Sequence, residues 1–515
     1  MKEIELKIRL DPSAVEAVAR HPALPGLADG GPRTERLRSV YYDTEDGRLA
    51  ADRMAFRLRC EAGSRVQTVK IARSPEHGLS EATELSTAAP AEGVDPALLP
   101  EGSVRALVLA AIGNQPLMAQ FETDMTRTRR RLRLAHLGTV ELALDTGEIR
   151  GGGRAERFAE AEIELVSGSA RAVFEAARTL FADGLRLSRL NKAERGALLR
   201  RTGRLSPEPT PRKAKAVPLA QETGAEAAAR AVLAECLTQI AANLDAVREA
   251  DDPEGPHQLR VGLRRLRSAF KLFADTLGGP SLDALAEEAR WLGQEVGRLR
   301  DREVAAHEIV GPERGAPGAG PGLDGLADAL AGEAMRLRQD LRATLDGPRT
   351  ARFLLDLTEF VHTRGWLDPA DWSQTARLAE PVAATGARAL ERCVARVERR
   401  GKGLEGLDIE ARHALRKALK ELRYQAEFLR PLFAEKRVRG YLKALRELQE
   451  LFGDLNDAAV IEEILGDPEG PALRDPATAR AAGYVLGVRS ERARAAWGDA
   501  KAAWKAFRAE PAFWR

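Results

Sequence analysis

Charged and apolar residues alternate strictly at the start of the chain, in the sequence MKEIELKIRL. Glu3, Glu5 and Lys7 occupy every second position, and apolar residues fill the positions between them. Successive side chains of a β-strand point to opposite faces of the sheet, so these three charges share one face. The simplest interpretation is a strand whose charged face meets water, and the remaining sequence decides whether that interpretation holds.

The same alternation recurs through the first 200 residues and predicts a domain built mostly of strands. Short turn sequences such as EDG, DTG and GGG separate the alternating segments. Residues 170–181 predict a helix among them. The alternating segments are 2–10, 54–60, 65–72, 127–134, 139–145 and 158–166.

From about residue 225 the apolar residues recur with the 3.6-residue period of an α-helix, which predicts an all-α half. The preceding sequence TGRLSPEPTPRKAKAVPLAQET is rich in proline and basic residues and is typical of an interdomain linker. We therefore expect a first domain at 1–202, a linker at 203–224 and a helical domain at 225–515.

The helical half contains an internal repeat. HQLRVGLRRLRSAF begins at His257, and HALRKALKELRYQA begins at His413, 156 residues later. GRLRDREV at Gly297 and GDLNDAAV at Gly453 keep the same spacing. Matches at one spacing indicate two copies of one helical unit, at about 225–370 and 380–515.

Composition narrows the class of protein only slightly. A chain of 515 residues has room for about two to four domains, and its net charge of +3 means that any basic site arises from local clustering. The three widely spaced cysteines argue against a disulfide framework and fit a reducing cytoplasm. With no long apolar run and a charged N-terminus, we expect neither a membrane span nor a signal peptide.

Charges at period two mark strand after strand of the first half, which a single solvated face does not explain. A closed barrel with a charged lumen does, because its apolar outer face can be covered by helices. Carboxylates suit Mg²⁺ or Mn²⁺, and arginine and lysine suit phosphate oxygens. The alternative is ordinary cross-strand ion pairing, worth about 0.2–1 kcal/mol per pair.

The first half resembles the CYTH, or triphosphate tunnel metalloenzyme, superfamily. The motifs that carry this resemblance occur in order: ExExK from Glu3, YYDT at 41–44, FRLR at 56–59, VK at 69–70, FxTxxxR from Phe121, ELALDTGEI at 141–149, EAEIEL at 160–165 and NKAERG at 191–196. The resemblance implies an antiparallel β-tunnel that binds a triphosphate and a divalent metal. Two departures are Asn191, where the family usually has serine, and EATELS at 81–86, which lacks an expected basic residue. Glu81 and Glu84 are therefore left out of the expected site.

Carried over position by position, the resemblance implies a role for each lumen residue. The expected metal ligands are Glu3, Glu5, Glu160, Glu162 and Glu164. The expected substrate-binding residues are Lys7, Arg57, Arg59, Lys70, Arg127, Arg129 and Lys192. The expected catalytic residues are Glu3, Glu5, Lys7 and Asp145.

Each copy of the helical repeat opens with a histidine followed by basic residues at spacings of three and four. On a helix the first set falls in one stripe about 80° wide. No acidic residue lies on that stripe to relieve the repulsion, so a bound polyanion is favoured over a merely solvated face. The stripes comprise His257, Arg260, Arg264, Arg267 and Lys271, and His413, Arg416, Lys420 and Arg423, with Arg290 and Arg446 as further candidates.

The helical half resembles the CHAD domain, a conserved-histidine α-helical module, through its HxxR…LR and G-x-L-x-D-x-x-V helices. The resemblance implies two pseudo-symmetric four-helix bundles whose basic surface binds inorganic polyphosphate through the two stripes. Asp301 and Asp457 are expected to be structural, as helix caps or as partners of the stripe.

Together these patterns predict an α+β multidomain protein similar to bacterial CYTH–CHAD inorganic triphosphatases. We expect hydrolysis of tripolyphosphate to pyrophosphate and phosphate with Mg²⁺ or Mn²⁺, and a polyphosphate-binding module that acts in the cytoplasm, including at polyphosphate granules. The alternatives are a class IV adenylate cyclase, an organic triphosphate hydrolase or a non-catalytic polyphosphate-binding protein. Specific nucleic-acid binding is disfavoured because no aromatic residues interleave the stripes, and the oligomeric state stays open.

Overall fold

A computed structural model describes residues 2–61, 63–72, 78–316, 322–467, 470 and 475–515. The chain divides into two compact units. The first comprises Met1–Glu208 and Asp346–Thr363, and the second comprises Pro209–Leu345 and Arg364–Arg515.

Eight strands among the described residues form a closed antiparallel barrel, which confirms the predicted β-tunnel. The strands are β1 Lys2–Leu10, β2 Arg33–Asp43, β3 Met54–Glu61, β4 Ser64–Ala72, β5 Leu79–Ala88, β6 Met118–Leu134, β7 Gly138–Gly151 and β8 Arg154–Gly168. Around the barrel they follow the order β1-β5-β4-β3-β2-β6-β7-β8.

Short helices accompany the strands in the first unit. They are α1 Pro12–Ala19, α2 Leu24–Leu27, α3 Arg48–Ala51, α4 Ser103–Ile112, α5 Arg171–Leu180 and α6 Lys192–Thr202. Helix α5 packs against β1, β6, β7 and β8. Leu6 and Ile8 of β1 and Val173 and Phe174 of α5 are fully buried. Burial of such side chains contributes roughly 1.5–3 kcal/mol each, so the apolar face of β1 is covered by protein while its charged face points the other way.

The second unit is all helical, as the periodicity predicted. The helices are α7 Ala225–Glu249, α8 Glu254–Leu272, α9 Ala274–Leu277, α10 Pro280–Glu303, α11 Gly322–Asp346, α13 Gln374–Ala379, α14 Val382–Arg400, α15 Ile409–Leu429, α16 Glu435–Leu465 and α17 Pro476–Ala509, with α12 Pro348–His362 belonging to the first unit. The long helices form two four-helix bundles, α7–α8–α10–α11 and α14–α15–α16–α17, and α8 of the first contacts α15 of the second. Hydrogen bonds from Arg338 and Arg342 join α11 to α10 and α7. None of the described helices combines the length and the apolarity that a membrane crossing requires.

The proline-rich segment predicted as a linker contains the point where the two compact units divide, between Glu208 and Pro209. Its second part lies along α7. The Arg212 guanidinium donates to the Glu235 carboxylate at 2.9 and 2.8 Å, and the Arg212 backbone N–H donates to the side chain of Asn243 at 3.0 Å. This part of the segment is thus held by specific hydrogen bonds.

Helix α12 departs from the expected domain boundary, because by sequence it lies inside the helical half and by contact it belongs with the barrel. It packs against α5. Arg178 of α5 donates to Asp356 at 2.7 Å and also to Glu359, and Arg171 donates to Glu359 at 3.0 Å. Glu359 is buried, so these charge-assisted bonds hold α12 on α5.

We predict that replacing Glu359 with alanine loosens this helix pair. Removal of a buried carboxylate that accepts two guanidinium bonds should lower the local opening free energy by about 1–2 kcal/mol. Amide hydrogen exchange in α5 and α12 should then quicken about 5- to 30-fold. As a control, Asp251→Ala removes a carboxylate that is 82% exposed beside Arg342 and should leave these amides unchanged. Equal exchange rates in α5 and α12 for the Glu359→Ala variant and the unmodified chain would contradict the assignment.

Candidate functional site

The charged face of β1 meets the charged face of β8 inside the barrel. Lys7 is paired in register with Glu162, and its ammonium group contacts the carboxylates of Glu162 and Glu5, the latter at 3.0 Å. Lys7 and Glu5 are each 4% exposed. Burial alone would lower the pKa of Lys7, but the two carboxylates outweigh it and hold this pKa above its ordinary value.

Arg127 of β6 extends this group across a strand. Its guanidinium donates to Asp145 of β7 at 2.7 and 2.6 Å and to Glu162 of β8 at 2.6 Å. Because β7 lies between β6 and β8, the contact with Glu162 requires these side chains to converge inside the barrel. Burial would raise the pKa of Asp145, yet the charges of Lys192 and Arg127 hold it below its ordinary value.

Helix α6 supplies the remaining cations, and the cap of the helix explains one departure from the family pattern. Asn191 is the N-cap: its side chain accepts from the Glu194 N–H at 2.9 Å, and the Glu194 carboxylate accepts from the Asn191 N–H at 2.8 Å. Asparagine is as good an N-cap as serine. This capping box fixes Lys192 in the first turn, where its ammonium group lies 2.7 Å from Asp145 and 2.9 Å from Glu162.

Arg195, one turn along α6, is a lumen residue that sequence reasoning missed. Its guanidinium donates to Glu160 at 2.8 Å, and Lys192 contacts the same carboxylate. Arg195 is 6% exposed and Glu160 is fully buried. The signal was present in the NKAERG motif, since residues three apart on a helix share a face.

Asp145, Glu160 and Glu162 form a buried acidic triad that could hold a metal ion. Each offers one oxygen, and these atoms all lie within 4.8 Å of one another. The triad is nevertheless already neutralised by the four cations described above, from Lys7 to Arg195. A metal ion bound here would have to displace some of those ion pairs.

The other part of the lumen has an excess of negative charge. Lys70 of β4 contacts Glu3 at 2.8 Å and Glu5 at 3.0 Å. Burial raises the pKa of Glu164 to about 7, and the nearby charges of Glu3, Glu5 and Glu141 add to the rise. A divalent cation would relieve this repulsion, and carboxylate oxygens are the ligands that hard cations prefer. The donor set thus fits Mg²⁺ or Mn²⁺.

Arg57 and Glu84 complete this part of the lumen. The Arg57 guanidinium donates to Glu84 at 3.3 Å, and Lys70 lies 3.9 Å from the same carboxylate. Glu84 was left out of the expected site, but its register opposite Lys70 brings it in. Arg59 is 5% exposed and donates to the hydroxyl of Ser39 at 2.9 Å.

Arg129 lies apart from the Arg127 group, although both were expected to bind substrate. Its side chain is 37% exposed and pairs with Glu35 at 2.6 Å. Its Nε also lies 3.8 Å from Glu141, so Arg129 is placed beside the acidic part of the lumen.

In the helical unit, the two predicted basic stripes lie on the contacting helices α8 and α15. The pKa of Lys420 is lowered to about 5 by burial and by the positive charges of four arginines, Arg264, Arg416, Arg260 and Arg423. Burial and the charge of Arg264 lower the pKa of Arg416 to about 10. Residues from both repeats therefore form one basic cluster with strong internal repulsion.

Other helices supply acidic partners that the stripe itself lacks. Arg260 donates to Asp301 of α10 at 2.6 Å, which confirms Asp301 as a partner of the stripe. Lys271 donates to Glu421 of α15 at 2.6 Å. Arg423 differs, because its acidic partner Glu427, 3.4 Å away, lies one turn along its own helix.

The remaining stripe residues differ in their surroundings. Burial and Arg300 lower the pKa of His257, and burial and Arg290 lower that of Arg267. Arg290 also lies 3.6 Å from Glu287. His413 and Arg446 are exposed, on α15 and α16.

Comparison with known families agrees with this architecture. Residues 1–197 match the family model of the CYTH domain, and residues 231–466 match that of the CHAD domain. The chain contains a CYTH domain followed by a CHAD domain. The CYTH match spans the strands of the barrel, and the CHAD match begins within α7 and ends just after α16.

Individual relatives cover one domain each. An inorganic triphosphatase of Haemophilus influenzae is 27% identical over 201 residues, which are 39% of this chain and 55% of that protein. The chain thus spans about half the length of this curated relative. The CHAD domain structure from the plant Ricinus communis is 30% identical, covers 59% of this chain and 98% of its own, and has a TM-score of 0.51. A structure from Hippeastrum, an adenylyl cyclase candidate with a dominant triphosphatase activity, is 21% identical, covers 40% and 98% of the two chains, and has a TM-score of 0.29.

We predict that Lys420→Met stabilises the CHAD domain. The unfolded chain holds a proton on Lys420 up to a pKa of about 10.5, whereas the folded chain loses it above about 5, so this residue lowers stability throughout that window. At pH 7 the thermal midpoint of the variant should exceed that of the unmodified chain by about a few degrees. The difference should shrink as the pH rises toward 10, which thermal scans at several pH values would show. A difference that grows with pH would contradict the prediction.

Proposed function

We propose that the CYTH domain hydrolyses tripolyphosphate to pyrophosphate and phosphate, and that the CHAD domain binds inorganic polyphosphate. The observation that carries the first part is the division of the lumen into a cation-rich group around Lys7, Arg127 and Lys192 and an acid-rich group around Glu3, Glu5 and Glu164. A metal–triphosphate complex needs both kinds of group.

The cation-rich group is suited to hold phosphate oxygens. A bound triphosphate would compete with Asp145, Glu160 and Glu162 for Lys7, Arg127 and Lys192, so that the ion pairs of the free protein exchange for contacts with the substrate. Negative charge that develops on the leaving pyrophosphate would be stabilised by the same cations, which the barrel and the α6 cap already hold in position.

The acid-rich group is suited to hold Mg²⁺ or Mn²⁺ through Glu3, Glu5 and Glu164. When bound, the ion would neutralise part of the phosphate charge and lower the pKa of a water molecule that it carries. Lys70 would then exchange its contacts with Glu3 and Glu5 for phosphate oxygens, together with Arg57. Arg195 would act as a positioning residue, because it holds Glu160 from the far side of the triad.

An inorganic substrate is favoured over ATP by the likeness to the Haemophilus influenzae triphosphatase and by the polyphosphate-type module on the same chain. Cyclisation of ATP and hydrolysis of an organic triphosphate are the competing reactions. Both would require recognition of an organic group next to the charged lumen.

We predict that phosphate release from tripolyphosphate by the full chain requires Mg²⁺ or Mn²⁺ and falls about 100-fold or more in the Glu3→Gln/Glu5→Gln variant. The double substitution preserves shape and hydrogen bonding but removes two carboxylates from the acid-rich group. A phosphate-release assay with each metal and with metal removed measures both effects.

Glu122→Gln is the matched control, because Glu122 lies on the opposite face of β6 from Arg127 and pairs with Arg38 at 2.8 Å. Activity should survive in this variant. Cyclic AMP formed from ATP, with no phosphate released from tripolyphosphate, would favour the cyclase instead. Absence of any turnover would favour a non-catalytic polyphosphate-binding protein.

For the CHAD domain, we predict that polyphosphate binding takes up a proton. With a pKa of about 5, Lys420 is neutral at pH 7 in the free protein, and the negative charge of a bound polyanion would raise this pKa by offsetting the repulsion from the neighbouring arginines. The affinity should therefore fall as the pH rises from about 6 to 8. Isothermal titration calorimetry in buffers of different ionisation enthalpy would measure the number of protons taken up on binding.

Lys420→Met should abolish this uptake, whereas Lys443→Met, at a side chain that is 73% exposed on α16, should not. Binding with no proton linkage in the unmodified chain would place polyphosphate away from the Lys420 cluster.

A further inference from the structure

The two copies of the helical repeat differ sharply at one buried position. The aligned motifs GRLRDREV and GDLNDAAV pair Glu303 of α10 with Ala459 of α16, and Arg302 with Ala458. The two motifs lie 156 residues apart, the same spacing as the histidines that open the repeats. A large charged residue in the first bundle is thus replaced by a small apolar one in the second.

In the first bundle this space is filled by an ion pair. Glu303 is 3% exposed and accepts a hydrogen bond from Arg338 of α11, which is 8% exposed. Arg338 also donates to the backbone carbonyl of Ala250 at 3.3 Å. The pair acts as a plug between helices α10 and α11.

In the second bundle the corresponding helices leave a pocket of about 300 Å³. Small residues on α16 and α17 line one side, where the first bundle has its plug. Apolar side chains and three basic ones line the remainder. The small residues are Ala458, Ala459, Ser490 and Ala493; the apolar ones are Ile409, Phe452, Leu455 and Leu486; and the basic ones are Arg412, His413 and Arg416, with Glu462 also present.

The second bundle also gains a cation beside this space. Arg412 immediately precedes His413, whereas the first repeat has Pro256 before His257. The Arg412 guanidinium lies over the ring of Trp497, 3.9 Å from its centroid, which fixes it at the pocket. Relative to the first bundle, this site has lost the Glu303–Arg338 ion pair and has gained Arg412 and, where the first repeat has Ala306, Glu462. Its wall now carries three basic side chains against one carboxylate, which favours a bound anion.

We propose that this pocket binds a small organic carboxylate with an apolar body. Its carboxylate would take the place that the Glu303 side chain fills in the first bundle and would pair with Arg412, and its body would lie against Phe452 and Leu486. The volume is at the small end of the range for ligand pockets, and a mostly apolar wall with a few polar groups is typical of them. The proposed ligand differs from polyphosphate, but the pocket shares His413 and Arg416 with the basic stripe.

The test uses 4-fluorophenylacetate as the probe and ¹⁹F NMR of the full chain as the readout. We expect saturable binding of this acid and at least tenfold weaker binding of the neutral 4-fluorophenylacetamide. The Ala459→Glu/Ala493→Arg variant places two large charged side chains on the wall of the pocket that small residues form and should lose binding by at least tenfold. Ala495→Arg, on the exposed face of α17, is the matched control and should bind normally.

A second variant guards against misfolding of the first. Arg412→Met keeps the pocket open. It should weaken the binding of 4-fluorophenylacetate and leave the binding of 4-fluorophenylacetamide unchanged. Equal binding of acid and amide would overturn the carboxylate assignment. Undiminished binding to a folded Ala459→Glu/Ala493→Arg variant, or no saturable binding at all, would overturn the site.

Discussion

The need to neutralise buried charge governs this molecule. An ionised carboxylate removed from water is costly unless a cation or hydrogen-bond donor meets it. In the barrel, alternation on each strand turns one charged face inward, and closure of the barrel brings these faces into contact. Asp145, fully buried, is stable there only because Arg127 and Lys192 reach it. Where cations are too few, around Glu164, the repulsion defines where an added cation would bind.

The helical half obeys the same rule with the sign reversed. Cations from two repeats crowd together between α8 and α15, and acidic residues from other helices balance only some of them. Lys420 remains so poorly compensated that it gives up its proton. The repulsion among these cations destabilises the free protein, and a bound polyanion would relieve it. The same crowding of cations therefore accounts for the energetic cost and for the expected ligand.

Local pattern in the sequence was enough to predict the barrel and the helical half, whereas the individual residues of the lumen were expected from the family resemblance. Period-two charge identifies β1 and β8, but β2 and β5 escaped notice. The first four positions of β2 are all exposed, so alternation is visible only in its second half. Glu84 was left out of the expected site because EATELS lacks a basic residue, and its position opposite Lys70 follows only from the register with the neighbouring strand. Helix α12 could not be assigned because its partner, α5, lies about 170 residues earlier.

That distant partnership bears on how the protein is made. A ribosome completes the barrel strands at Gly168 and helix α6 at Thr202, yet α12 emerges only after residue 362. The N-terminal unit must therefore wait, without Asp356 and Glu359 as partners for Arg178, while all four helices of the first bundle are synthesised. Domains that fold during synthesis normally do so one after another. Here the N-terminal unit begins to fold first but is completed only when α12 has been synthesised. A chain cut at the proline-rich segment would therefore yield a barrel that lacks α12.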